Sequence, residues 1–404
     1  MAKTRPGSPS ATTDSKRNLW LLVGAQSLGG ASPPIIISLG GLVGMQLASD
    51  PSMATLPVSL FNLGLALSTI PAAMLMRYLG RRQAYTLGAL MAIIAGLVAA
   101  YGIALQSFML FCIGTALAGF YAANVQNYRF AASDSVPARQ RPMAISRIMV
   151  GGLVAAIIGP QVVIWTRDAW AGLPFAGSFV SQAALALLAL PLLLALRLPS
   201  LQFASETGHA RPLREIARQQ RFVVAVIAGI VSYGLMAFIM TAAPMAMVAH
   251  GYSSDHATLG IQWHVLAMFG PSFITGRLIN RFGKITMTAA GLITIGLSGV
   301  LALLGMGLLN FWGSLILLGI GWNFGFIGAT ALVTDTYSQS ERAKAQAMND
   351  FLIFGTVAAG SFSSGYLLNT LGWSQINLLM LPIIGAVLLL LLWLHLTGNH
   401  KSAQ

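Results

Sequence analysis

The sequence predicts an all-α integral membrane protein with twelve transmembrane helices in two pseudo-symmetric six-helix bundles. Three observations lead there: an apolar composition, twelve spans whose flanking basic residues fall on one side, and a repeat of the first half in the second. Of the 404 residues, 56% are hydrophobic and only 8% charged, and the mean hydropathy is +0.75. Soluble domains carry roughly 25% charged residues, so a soluble chain with this composition would lack the polar surface to cover its core. The apolar runs are continuous and do not alternate in segments of about 10 residues, which argues against a transmembrane β-barrel.

A helix crossing about 30 Å of hydrocarbon needs roughly 20 residues. Six runs in the first half meet this, at 19–46, 54–76, 83–104, 107–129, 143–165 and 174–196. Six more follow at 222–249, 258–276, 286–308, 312–333, 345–368 and 375–397. The chain thus parses into a tail (1–18), a first bundle (19–196), a linker (197–221), a second bundle (222–397) and a short tail (398–404). The first tail is polar and expected to be disordered. Reading it as part of a signal peptide would put cleavage near Gly30, halving the first span and leaving an odd helix count. Within the linker, Arg211 to Arg221 reads as a basic amphipathic helix lying on the membrane surface.

Topology follows from the basic residues. With the N-terminus inside, 22 of the 23 Lys and Arg residues lie on the inner side and only Arg167 lies outside. Such an asymmetry marks the cytoplasmic face. The expectation is a multi-pass protein of the cell (inner) membrane with both termini cytoplasmic. The net charge of +13 then faces anionic inner-leaflet lipid and does not call for nucleic acid. Cys112 is the single cysteine, so no intramolecular disulfide exists.

The halves come into register at a shift of about 203 residues. Leu75, Gly80 and Arg81 fall on Leu278, Gly283 and Lys284. At a shift of 201, Ser133-Asp134-Ser135 falls on Thr334-Asp335-Thr336 and Arg141 on Arg342. After a small gap, Ala144 and Arg147 fall on Ala347 and Asp350. Matches in order, each at the same loop of a six-span half, indicate a duplicated bundle. Two parallel repeats with a site between them near the midplane describe one class of secondary transporter.

The segment Gly276-Arg-Leu-Ile-Asn-Arg-Phe-Gly-Lys284 resembles the Gly-x-Leu-x-Asp-Arg-x-Gly-Arg/Lys loop motif of the major facilitator superfamily, and Ala73 to Arg82 resembles a degraded copy. Gly159-Pro160, with Gly151 and Gly152 before it, partly resembles the span-5 glycine–proline motif often associated with exporters; the trailing glycines are absent. The resemblance covers the whole chain. It implies alternating access, a cavity lined by the first and fourth helices of each half, and a cytoplasmic gate built on the loop motif. The cytoplasmic gate set is Arg77, Gly80, Arg81, Arg147, Gly276, Asn280, Gly283, Lys284 and Asp350. Where the family has Asp, this chain has Arg77 and Asn280, and an Arg cannot cap a positive helix N-terminus. A swapped pair, Arg77 with Asp350, is therefore expected, and Arg147 with Asn280 as its pseudo-symmetric contact.

By position, the residues facing a small-molecule substrate are Gln26, Phe120, Tyr121, Asn124, Tyr233, Trp322 and Asn323. The three amides could orient a solute in an apolar pocket or bond between helices instead. No acid lies near a span centre, so proton coupling through a midplane carboxylate is not supported. His264 and Asp350 are the titratable groups within spans able to carry a coupled proton; for His264 a structural hydrogen bond is the competing reading. Arg129, at the inner end of span 4, either attracts an anion or anchors the helix. Pro33 and Pro34 leave carbonyls of span 1 unpaired, making a hinge or a packing kink, and Gly159-Pro160 offers a second hinge. Gly40-x-x-x-Gly44 and Gly321-x-x-x-Gly325 read as close helix-packing sites.

The sequence contains no phosphate-binding Gly-x4-Gly-Lys-Ser/Thr loop, no zinc-type His or Cys cluster and no nucleophile–base constellation. The expectation is a monomeric secondary transporter without cofactors, not an enzyme. It moves a small organic solute down its own gradient or with a coupled proton or other ion. Efflux of an amphipathic or aromatic compound leads, over import of a small metabolite or a non-transporting receptor of the same fold.

Overall fold

The computed structural model describes residues 9–136, 141–198 and 211–401. In the first half, α1 (Pro9–Gly29) and α2 (Ser32–Leu47) share one crossing, followed by α3 (Leu56–Leu79) and α4 (Arg81–Ala104). The fourth crossing is α5 (Phe108–Gln126) with its continuation α6 (Tyr128–Asp134), and α7 (Arg141–Thr166) and α8 (Ala176–Leu194) complete the half. The short α9 (Leu213–Ala217) leads into α10 (Gln220–Ala249), then α11 (Ser254–Phe269) and α12 (Ser272–Phe282). The chain ends with α13 (Lys284–Leu303), α14 (Leu308–Val333), α15 (Arg342–Leu371) and α16 (Trp373–Lys401).

Among the described residues, eleven helices are long and apolar enough to span a membrane. The expected eighth crossing is not one of them, because Gly270-Pro271 divides it into α11 and α12, of 16 and 11 residues. Proline has no N–H to continue α11, so a new helix starts at Ser272. The first crossing is broken in the same way, at Gly30-Ala31 before Pro33-Pro34. There the backbone stays wound: Gly30 N donates to Gln26 O at 2.8 Å and Ala31 N to Leu28 O at 3.3 Å.

Each half has its own core. Tyr85, Phe111 and Phe179 are fully buried in the first, and Ile295, Phe311 and Leu315 in the second. Gly44 and Gly291 mark the closest backbone approaches. A Cβ on Gly44 would stand 1.9 Å from the carbonyl oxygen of Ala54, and one on Gly291 would stand 2.0 Å from the nitrogen of Gly325. The second contact seats α13 on α14, as expected for the Gly321–Gly325 stretch.

The sequence repeat has a structural counterpart at the end of the molecule where Arg77, Arg81, Arg281 and Lys284 lie, here termed the basic end. Gly80 and Gly283, at matching positions, adopt φ of 83° and 87° with ψ of 158°. Only glycine takes that backbone freely. The next residue of each half then pairs with the aspartate of its own half: Arg81 with Asp134 at 2.6 Å, and Lys284 with Asp335. Asp335 also holds Arg221 at 2.8 Å.

Two expectations about the tails and linker change. Residues 9–18 continue helix α1, and Asn18 docks on the end of the half through Asn18 Nδ2 to Arg197 O at 2.7 Å and Arg197 N to Asn18 Oδ1 at 3.0 Å. Among the described linker residues, Leu213–Ala217 is helical before α10 begins, and Ile216 is buried in the second core. Two of its cations, Arg211 and Arg221, turn to protein. Arg211 makes a bidentate pair with the buried Glu341, at 2.7 and 2.8 Å. That guanidinium, with the Ser338 N–H, holds the Glu341 carboxyl well below the ordinary carboxylate range.

Candidate functional site

A cavity lies between the halves. It encloses about 1040 Å³ of space, part of it open to solvent, and its wall is assembled from both halves. The α1–α2 break contributes Gly29, Gly30, Pro33 and Pro34. Because Pro33 and Pro34 have no N–H, the carbonyls of Gly29 and Gly30 have no intrahelical donor. Irregular backbone of this kind persists in a membrane where it borders a cavity. Behind the break, α7 packs closely: a Cβ on Gly159 would lie 2.7 Å from Ala31 O and 3.0 Å from Pro34 Cβ. The glycine–proline motif of span 5 therefore seats α7 on the kink of the first crossing.

The wall is apolar and rich in methionine and aromatic groups. Met149, Met236, Met240 and Met268 line it, with Phe61 and Phe269. Thioether sulfurs adapt to flat π-surfaces and contact them favourably. Tyr233 is held in place by near-perpendicular rings, with centroids 5.4 Å from Trp322, 5.0 Å from Phe326 and 5.7 Å from Phe354. Three carboxamides supply polarity: Gln26, Asn62 and Gln126. Gln126 is the last residue of α5 and marks the basic end of the cavity. Asn62, in the second turn of α3, marks the opposite end.

That opposite end is shut by contacts between the halves. Asn62 Nδ2 donates to Ser361 Oγ at 2.9 Å and Thr55 Oγ1 to Phe362 O at 3.1 Å, joining α3 to α15. Gln161 Nε2 donates to Gln262 Oε1 at 2.9 Å, joining α7 to α11. Outermost, Arg167 grips Asp255 through two nitrogens, at 2.9 and 3.1 Å. At the basic end Met143, Arg147 and Asn280 are exposed, as are Arg77 and Arg129. The cavity thus opens toward the basic end.

Of the seven residues expected to face a substrate, the structure brings Gln26 and Tyr233 to the cavity. The others serve elsewhere. Tyr121 is buried against Gly29, where a Cβ would come within 2.5 Å of its hydroxyl. Asn124 is buried against Gly88 and donates to Phe120 O at 3.0 Å, and Phe120 lies outside the wall. Trp322 stacks on Phe326 at 5.3 Å, behind Tyr233. Asn323 bridges the α11–α12 break, donating to Met268 O at 2.6 Å and Ser272 Oγ at 2.7 Å and accepting from Thr275.

The expected gate and coupling residues are also redistributed. Asp350 accepts from Asn349 Nδ2 at 3.0 Å and lies within electrostatic reach of Arg129, from the other half. Among the described residues no hydrogen bond or ion pair joins Arg147 to Asn280, both of which face solvent. A gate at the basic end is not assembled while that end stands open. Gly276 has open space beside it. His264 is fully buried between α11 and α14, with Nδ1 2.7 Å from Leu315 O, and does not line the cavity. Sequence reasoning passed over Asn62 because it looked only to the first and fourth helices of each half, and over Gln126 because it weighed only the central residues of the fourth helix, whereas Gln126 closes α5. The available signal was that Asn62 is the sole carboxamide in span 54–76.

The chain matches the profile of the Major Facilitator Superfamily over residues 19–327 and 225–404. It is 60% identical over 394 residues to the riboflavin transporter RfnT of Brucella anthropi, spanning 97% of this chain and 99% of that protein. An uncharacterized MFS-type transporter of Bacillus subtilis, YdeG, is 31% identical over 93% of this chain and 90% of its own length. Among solved structures, the nucleoside transporter NupG superposes with a TM-score of 0.73 at 14% identity, covering 93% of this chain and 99% of NupG. The chain belongs to the major facilitator superfamily: it is a multi-pass membrane transporter.

Proposed function

We propose that this member of the superfamily carries riboflavin into the cell by alternating access. The observation that carries the reading is the 60% identity, over nearly the full length of both chains, to a riboflavin transporter. The cavity supports it. Riboflavin is a flat fused-ring system, uncharged at neutral pH, with a polar dione edge and a hydroxylated arm. A wall of methionine and aromatic groups with three carboxamides and no carboxylate suits such a solute, since no charge on it needs a partner. The same features first suggested efflux. Uptake replaces that reading because the span-5 motif has a packing use, seating α7 on the first-crossing kink, that does not depend on direction.

In this reading the basic end is cytoplasmic, as the positive-inside rule directs, both termini lie inside, and the conformation described is inward-open. The cavity is complete within one chain, so a monomer suffices. Transport runs down the riboflavin gradient or with a coupled ion.

Expression in a riboflavin-auxotrophic bacterium without its own uptake system tests the proposal. Growth on low riboflavin and saturable uptake of labelled riboflavin are expected. Protein present in the membrane with uptake no greater than vector overturns it. If purified protein binds riboflavin but proteoliposomes show no counterflow, the receptor reading takes its place. A ligand at 100 times its Kd stabilises by roughly 2.7 kcal/mol, which a melting curve resolves.

A further inference from the structure

The two polar ends of the cavity differ in what they offer. At the closed end, a chain of side chains fixes the direction of one carboxamide. Thr241 Oγ1 lies 2.7 Å from Ala237 O and 3.2 Å from Ser361 Oγ, and Asn62 Nδ2 lies 2.9 Å from the same Ser361 Oγ. Thr241 donates to the Ala237 carbonyl and, at longer range, to Ser361 Oγ. Ser361 Oγ also accepts from the Asn62 amide. Thr241 of α10 and Asn62 of α3 thus both donate to Ser361 Oγ of α15. Asn62 therefore turns its N–H group to Ser361 and presents its carbonyl oxygen to the solute. At the other end Gln26 and Gln126 line the wall and offer a donor and an acceptor each.

From this asymmetry, and resting on the riboflavin reading above, we infer that Asn62 is the specificity residue for the hydroxylated arm and that Gln26 reads the dione edge. A hydroxyl donor fits an acceptor-only site. The acceptor–donor–acceptor pattern of a dione edge pairs with a carboxamide that both donates and accepts. Substrate thus lies with its arm toward the closed end and its dione edge toward the cytoplasmic opening. The ring crosses the apolar middle between Tyr233, Met236 and Phe269, which line it. The arm also reaches the bond by which Asn62 joins the two halves, so recognition of the arm and closure of that end share one residue.

Binding to purified protein, read by quenching of flavin fluorescence, tests the assignment with three probes: riboflavin, lumiflavin, which lacks the hydroxylated arm, and 3-methylriboflavin, whose dione N–H is blocked. One net hydrogen bond corresponds to a change of roughly three- to tenfold. Asn62→Ala is expected to weaken riboflavin by about that factor and leave lumiflavin unchanged. Gln26→Leu is expected to weaken riboflavin and lumiflavin alike, but not 3-methylriboflavin. Ser361→Ala, which frees the Asn62 amide to rotate without removing it, is expected to act like a weaker Asn62→Ala. It keeps the test decisive if that variant folds poorly. Equal losses for riboflavin and lumiflavin in both Asn62→Ala and Ser361→Ala overturn the assignment, as does the reverse pattern between Asn62 and Gln26. If the wild-type protein binds none of the three probes, the riboflavin reading falls with it.

Discussion

The two ends of the molecule are built from opposite kinds of contact. At the closed end the named bonds run between the halves: Asn62 to Ser361, Thr55 to Phe362, Gln161 to Gln262 and Arg167 to Asp255. At the basic end the named direct ion pairs stay within a half, Arg81 with Asp134, Lys284 with Asp335 and Arg211 with Glu341, and the Arg129–Asp350 attraction that crosses between halves is not a direct pair. Contacts within a half survive when the halves rock against each other, whereas contacts between halves must break. The comparison assigns rigidity to the loop-motif ion pairs and switching to the closed end. It also explains why the loop motif can lose its Asp at Arg77 and Asn280 while each half keeps its own clasp.

The largest effect expected from this contrast is steric. Gly44→Ala would place a methyl group 1.9 Å from the Ala54 carbonyl oxygen at the closed end, and overpacking of backbone costs about 1–3 kcal/mol or more. Gly276→Ala, in α12 at the basic end, meets open space and should be neutral. Melting temperatures of the two purified variants measure the difference, and equal values would break the contrast.

Asn323→Ala comes next. Removing the side chain that bridges the α11–α12 break leaves buried groups unpaired, costing about 1–3 kcal/mol. Uptake rate and melting temperature should fall while the riboflavin Kd stays within about twofold. A tenfold rise in Kd would instead return Asn323 to the substrate site that its sequence position suggested.

Arg167→Ala removes the outermost tie between the halves. Asp255 is 38% exposed, so the pair is worth about 1 kcal/mol or less, a shift of roughly fivefold toward the outward-open state. Cysteine labelling from outside at Thr55→Cys reads this with little background, because Cys112 is buried. Unchanged labelling would remove Arg167 from the closed-end gate.

The finest probe is the Arg129–Asp350 couple, the one electrostatic link between halves named at the basic end. Arg129→Asp and Asp350→Arg should each slow uptake several-fold, and the double exchange should recover most of the rate. No recovery would mean that the two charges act independently and that the inner gate lies elsewhere.

Much of the architecture was legible because hydrocarbon imposes it. A backbone in lipid must satisfy its own hydrogen bonds, so apolar runs of sufficient length become helices, and basic residues sort to one side. The repeat was legible through Gly80 and Gly283, where a positive φ admits little besides glycine, and through Asp134 and Asp335, whose partners proved to be Arg81 and Lys284. The site was less legible. In a soluble helix the polar face identifies the buried one, but lipid and protein interior are both apolar, so the rotation of each helix leaves little mark on its sequence. Asn124 and Asn323 were polar, central and on the right helices, yet packing turned one to Gly88 and the other to the α11–α12 break.

By itself, then, the sequence determined the spans, the gathering of basic residues at one end, the duplication and the family resemblance, since each follows from local composition and backbone chemistry along the chain. Only the tertiary structure decided which carboxamides face the cavity, which end is shut and which charge Asp350 meets. Those depend on how helices distant in sequence are rotated and stacked against one another, and that rotation is fixed by contacts such as Gly159 on Pro34 and Gly291 on Gly325, not by any one segment's own pattern.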